Sequence, residues 1–186
     1  FTSFTSLRIQ INQLTSLDLS QNTALMELYC EGNPLTSLDV SQNTALTTLN
    51  CMSTPLISLD LSQNTALAQL DCSYSQLTCL NVANGNNTNT SGWINFQNNP
   101  NLTCIQVDDA AWSTANWTDI DPQTSFSENC DYPTDCFTAS INELTTSKSL
   151  IQILDMMGRE TSFKPNTPLI YVYDDGSIEK VFSVEY

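Results

Sequence analysis

The sequence predicts an α/β-solenoid, mostly β, of about five to six 21-residue coils with a capping segment, followed by a small antiparallel β-sandwich-like module. Three observations predict it. Residues 14–34, 35–55 and 56–76 align without a gap at a period of 21. Each period holds two short runs that alternate apolar with polar, as a short strand does. After Cys130 the period stops and a different pattern begins.

The three copies read LTSLDLSQNTALMELYCEGNP, LTSLDVSQNTALTTLNCMSTP and LISLDLSQNTALAQLDCSYSQ. One period before Leu25, Leu28, Cys30 and Asn33 stand Phe4, Leu7, Ile9 and Asn12, so residues 1–13 are the second half of an earlier copy. Because Phe1 falls inside a repeat, the natural precursor is expected to be longer at its N-terminus, with any export signal upstream. Leu77, Leu80 and Val82 continue the first half. Ile94, Phe96 and Asn99 continue the second after a few inserted polar residues, and Leu102, Ile105 and Val107 open a final coil. Ordering one coil costs roughly 1–2 kcal/mol per residue. Six buried aliphatic side chains contribute only about 1.5–3 kcal/mol each. A single coil therefore cannot fold alone, whereas stacked coils can.

Asn22, Asn43 and Asn64 recur at the turn after the first run, where an amide can satisfy turn backbone groups; they are expected to stack as a ladder. Cys30, Cys51 and Cys72 recur at an inward position and are expected to form a column of buried free thiols. Three in-register thiolates on parallel strands do not converge tetrahedrally on a metal. The pattern over residues 4–107 resembles leucine-rich repeats in the nested 21-residue form of bacterial surface proteins, internalin-type repeats with a cysteine ladder. Thr54 and Ser75 depart from the asparagine of that pattern, and Ile9 and Phe96 depart from its cysteine column.

Cys79 and Cys104 occupy the outward position of Ser16, Ser37 and Ser58, and Cys130 and Cys136 flank a polar segment. Four cysteines outside the ladder suit two disulfides in an exported protein. Three connectivities are open; the first choice pairs Cys104 with Cys130, closing the last coil over its end, and leaves Cys79 for Cys136.

Beyond Val107, the stretch 108–117 reads as a short helix with acids at its start, and Trp112, Trp117 and Phe126 are expected to cover the open end of the core. The polar insertion 84–92 precedes Trp93, and loops of this kind often bind ligands. Asp18, Asp39 and Asp60 repeat at 21-residue spacing, with Tyr29, Asn50 and Asp71 in the other run. Together with Trp93 they make a candidate ligand face for an unknown protein or glycan. A ladder of single aspartates lacks the converging loop of a calcium site.

Composition narrows the function classes. Twenty acids against five bases give a net charge of −15 and a pI near 4.1, which opposes binding to nucleic acid. The absence of histidine excludes a Ser-His-Asp triad, a Cys-His pair and any histidine metal site. No apolar run is long enough to cross a membrane. No phosphate loop or nucleophile–base pair is present, so neither catalysis nor a cofactor is expected.

Four of the five bases, Lys148, Arg159, Lys164 and Lys180, fall in the last part of the chain. The expected domains are 1–130, solenoid and cap; 131–140, linker; and 141–186, a β-module with strands at 149–154, 169–173 and 179–184. Asp155, Gly158, Arg159, Leu169, Tyr171, Val172, Gly176, Lys180 and Val184 stand in a pattern that resembles the C-terminal sorting domain of type IX secretion cargo in Bacteroidetes. That resemblance implies export across the outer membrane, with these residues, in the segment 169–186 above all, meeting partners in the secretion machinery. The expected function is thus an exported, non-catalytic binding or adhesion protein of the cell surface. The alternatives are a structural or accessory subunit of an outer-membrane complex, or the stalk and sorting part of a larger enzyme.

Overall fold

The computed structural model describes residues 4–90, 92–133, 136–137, 150–155, 159–162, 168–173 and 178–182. The chain divides into two units, Phe1–Ser140 and Ile141–Tyr186.

In the first unit the strands are β1 (Ser6–Arg8), β2 (Glu27–Tyr29), β3 (Thr48–Asn50), β4 (Ser58–Asp60), β5 (Gln69–Asp71), β6 (Cys79–Asn81), β7 (Ile94–Asn95), β8 (Cys104–Gln106) and β9 (Ser125–Ser127). They form two parallel sheets, β1-β2-β3-β5-β7 and β4-β6-β8-β9. The register equals the sequence period, with Leu7, Leu28, Leu49 and Leu70 stacked in line. Side chains alternate along a strand, so the central leucine of each points inward and its neighbours outward. The second runs build the first sheet, and the first runs from Ser58 onward build the second. One core takes in the inward residues of both: Leu35, Leu38, Val40, Leu46, Leu49 and Cys51 of one coil are all buried, as are Leu56, Leu59, Leu61, Leu67, Leu70 and Cys72 of the next.

In two coils the first run, at 16–18 and 37–39, stays outside the backbone ladder. Asparagine side chains link the coils there instead. Asn43 Nδ2 donates to the Leu19 and Asn22 carbonyls, and Asn64 Nδ2 to those of Val40 and Asn43. Asn84 carries the ladder one coil further by donating to Asn64 O. A second ladder runs along the other turn, where Asn33 donates to Ile9 O and Cys30 O, and Asn99 to Cys72 O and Phe96 O. Between these, Thr54 and Ser75 are buried; Thr54 Oγ1 donates to Cys51 O at 2.6 Å, and the two hydroxyls lie 3.5 Å apart. The departures from asparagine thus keep a hydroxyl bonded to backbone and replace the amide-to-carbonyl bonds between coils with a contact between hydroxyls.

A feature with little trace in the sequence is a column of left-handed residues: Ile11, Gly32, Ser53, Tyr74 and Asn98, at φ 53°, 67°, 56°, 54° and 59°. The N–H groups of the first four each donate to the carbonyl of the following coil. Only Gly32 takes up this conformation without steric cost.

The thiol column of Cys30, Cys51 and Cys72 is fully buried and unbridged. Burial pushes the Cys30 thiol up to about 12, with the Glu31 carboxylate adding to the shift, and moves Cys51 and Cys72 upward for the same chief reason. These are packing thiols with no thiolate character at neutral pH. The column ends at Phe96, whose ring meets Trp117 and Phe126 edge-on at 5.7 and 6.2 Å. A thiol would be too short to reach this aromatic cap. The cap rests on helix α1 (Ala110–Asn116), whose N-cap Asp109 accepts from the Trp112 N–H.

Disulfides join Cys79 to Cys136 and Cys104 to Cys130, each with Cα atoms 6.0 Å apart. The segment that supplies the two partners also sends Tyr132 onto the second sheet, where its hydroxyl donates to Leu80 O or Cys104 O and accepts from Leu80 N. This covering buries Cys79, although its position in the repeat is an outward one.

The second unit is a three-stranded antiparallel sheet in the order β10 (Leu150–Asp155), β11 (Pro168–Tyr173), β12 (Ile178–Phe182). Asp155 pairs with Leu169, Ile153 with Tyr171, and Ile170 with Lys180. Of the nine sorting-pattern residues, Asp155, Leu169, Tyr171, Val172 and Lys180 therefore lie on strands, and Arg159 is exposed between β10 and β11. Gly158, Gly176 and Val184 lie outside the described residues.

Candidate binding face

The seven ligand-face candidates do not share one surface. Tyr29, Asn50 and Asp71 are register partners on the first sheet, in a row that runs from Arg8 to Asn95. Asp60 belongs to the second sheet, paired with Asn81, and Asp39 and Asp18 precede it one and two coils earlier on that side. Spacing alone could not separate the two groups, because both runs repeat every 21 residues and each has an outward polar position.

Most of these polar residues also have a local backbone role. Asp18, Asp39 and Asp60 accept the backbone N–H of Ser20, Ser41 and Ser62 at 2.9–3.0 Å. Asn50, Asp71, Asn81 and Asn95 do the same for the residue two positions on. Each of these strand ends closes with an Asx turn, which gives Asp and Asn a local backbone role at seven positions of the two rows, while Arg8, Tyr29 and Gln106 stand in register with them and lack it. The bond from Ser20 holds the Asp18 carboxyl below its ordinary value.

The two sheets differ in what lies over them. The second is crossed at its end by the disulfide-bonded segment and Tyr132. On the first, the inserted loop passes over the Gln69 side chain at Gly92, and in the earlier coils the outward side chains contact one another. Arg8 stacks over the Tyr29 ring at 3.9 Å and pairs with Glu27 at 3.3 Å. Ser6 donates to Glu27 at 3.0 Å, and Thr48 reaches Gln69 at 3.5 Å. Trp93 precedes β7 in line with Gln69 and is 42% exposed.

Beside Trp93 the face ends in a groove of about 300 Å³ between the inserted loop and the cap helix, lined by Thr90, Gly92, Trp93, Ile94, Trp112, Asn116, Trp117, Thr118 and Asp119. The loop forming one wall is fixed. The Asp108 carboxylate accepts the Gly85 and Asn87 N–H groups, Asn87 Oδ1 accepts from Asp108 N, and Asn86 Nδ2 donates to Leu67 O. Trp117 Nε1 donates to Thr90 Oγ1 at 3.3 Å and so ties cap to loop. Asp121 closes the neighbouring turn in the same manner by accepting from Asn98 N and Asn99 N. Sequence reasoning singled out Trp93 but missed Asp108, Asn116, Thr118 and Asp119, which follow no repeat.

Among the described residues, no group of three or more His, Cys, Asp or Glu side chains could hold a metal ion, and no helix is long and apolar enough to cross a membrane.

In-register parallel coils, paired polar ladders and a buried cysteine column define a leucine-rich-repeat solenoid of the cysteine-ladder type. One solved structure shares part of this pattern, the functional domain of InlJ from Listeria monocytogenes, which includes a cysteine ladder. It is 37% identical over 57% of this chain and 25% of that one, with a TM-score of 0.46. The match thus spans about a quarter of the length of that solved chain. No family model and no curated protein matches the sequence.

Proposed function

We propose that this chain is an exported, non-catalytic recognition protein of the cell surface or its surroundings, whose solenoid binds a protein or glycan ligand. The observation that carries the proposal is the asymmetry of the two sheets: one is strapped by two disulfides and Tyr132, while the other presents an open, polar, partly aromatic surface ending in a groove. Rigid scaffolds with such faces are suited to binding. Disulfides persist in oxidising compartments, which supports export. The outward groups are hydrogen-bonded acids and amides in Asx turns, without a paired base or nucleophile, which supports a non-catalytic role.

In this reading residues 141–186 are an address recognised by type IX secretion partners, and the reading rests on their resemblance to sorting domains. Strand addition at the edge of the β10–β12 sheet is a fitting mode of recognition. Fractionation of the producing cell, with mass spectrometry of the mature C-terminus, tests it. Solenoid at the surface or in the medium without residues beyond about 140 is the expected result. Retention of the whole chain inside the cell would overturn the reading. Persistence of Tyr186 on the surface protein would refute a removable signal and favour a structural subunit.

A further inference from the structure

All three tryptophans of the chain line one groove. Trp117 is accounted for by the core, being 7% exposed. Trp112 is half-buried and packs edge-on against Trp117 with centroids 5.8 Å apart. Trp93 has no such role, since the ladder uses only its backbone, its carbonyl accepting from Leu70 N. The corresponding outward residues of earlier coils are Ser6, Glu27, Thr48 and Gln69. Trp93 thus places an indole, 42% exposed, at the wall of a groove that it shares with Trp112, where an aromatic face is available to a ligand.

The opposite side of the groove is polar. Asn116 donates through Nδ2 to Trp112 O, which leaves its amide oxygen as an acceptor. Thr118 and Asp119 are exposed, and Asp119 is fixed through its carbonyl, which accepts from Phe96 N at 2.8 Å. Gly92 permits the close passage of the loop over the first sheet, because a Cβ there would collide with the Gln69 side chain.

We propose that this groove binds a single ring of a neutral glycan, with Trp93 stacking on the ring's C–H face and Asn116, Thr118 and Asp119 bonding its hydroxyls. This rests on the reading of the chain as a recognition protein and names the ligand class. An aliphatic protein anchor in the same place would leave an amide, a hydroxyl and a carboxylate desolvated without partners. A sugar ring meets both halves, with an apolar face for indole and hydroxyls that donate to carboxylate and amide oxygens. Residues 1–140 hold thirteen acids and one base, Arg8, so an anionic sugar would meet a repelling field. The volume lies at the small end for ligand sites and suits one ring.

Because every tryptophan is at the site, intrinsic fluorescence reports on it directly. The full disulfide-bonded chain is titrated with methyl glycosides of glucose, galactose, mannose and N-acetylglucosamine to about 10 mM, with sialyllactose as the anionic control. Saturable change with at least one neutral glycoside is expected, with none for sialyllactose. Trp93→Ala is expected to weaken the best glycoside by about tenfold or more without changing the melting temperature. If that variant misfolds, Asn116→Ala and Thr118→Ala, both exposed, serve instead with the same expected direction. No saturable change with any neutral glycoside would overturn the proposal, as would binding that these substitutions leave intact. Neither result would touch the wider recognition reading, which cell fractionation tests independently.

Discussion

Replacing Asn64 by alanine tests whether the side-chain ladder holds the coils together where the backbone ladder is missing. Asn64 is wholly buried and donates two 2.9 Å bonds across to the preceding coil, at Val40 O and Asn43 O. Each carbonyl keeps one other partner, the N–H of Asn43 and of Leu46 respectively, so neither becomes an orphan. The loss then falls at the lower end of the range for a buried group, about 1 kcal/mol each. The void left by the amide adds roughly 1 kcal/mol. Asn64→Ala should therefore lower the unfolding free energy by about 2–3 kcal/mol. Asn12→Ala removes two bonds of the same kind, to Ile9 O and Gln10 O, at an exposed turn, where water replaces them. It should cost less than about 0.5 kcal/mol. Urea unfolding of the disulfide-intact chain, followed by circular dichroism, measures both. Equal effects for the two variants, or a loss below about 0.5 kcal/mol for Asn64→Ala, would refute the ladder as a structural element.

Two further outcomes are expected. In the left-handed column, Tyr74→Gly and Ser53→Gly should each stabilise by about 0.5–1 kcal/mol, because release from the left-handed penalty exceeds the added chain entropy. Gly32→Ala should destabilise by about 1–2 kcal/mol, since its Cβ would also press on Ile11 at 3.4 Å. Thermal melts decide both, and a loss on either substitution to glycine would count against the reading. The thiol column sets an alkaline limit. Its folded pKa values lie above the unfolded value near 8.5, reaching about 12 for Cys30, so above pH 8.5 the folded state binds more protons than the unfolded. Stability is full below that pH and falls by about 1.4 kcal/mol per pH unit for each thiol as pH rises. Cys30→Ala should make the slope of unfolding free energy between pH 9 and 11 shallower by that amount, and an unchanged slope would contradict the assignment.

The period of 21 determined the coil, its leucine columns, the inward thiols and the asparagine ladder, because each is a local pattern that stacking repeats in register. The aromatic cap was equally legible, since Trp112, Trp117 and Phe126 follow the last run where a core must be closed. Other features depended on distance in space between residues unrelated in sequence. Asp18 and Asp71 both repeat with the same period, and only the folded coil sends them to different sheets. The left-handed column left a single glycine as its mark, because packing between coils imposes the conformation whatever the side chain. Cys79 reads as an outward residue until a segment more than fifty positions later covers it. The groove joins Trp93 to Asn116, Thr118 and Asp119 across an insertion and a helix that follow no period. Sequence by itself determined what repeats, since identical local interactions recur coil after coil. Tertiary structure alone decided what does not repeat, because the groove beside Trp93 is made by which surfaces meet at the end of the stack.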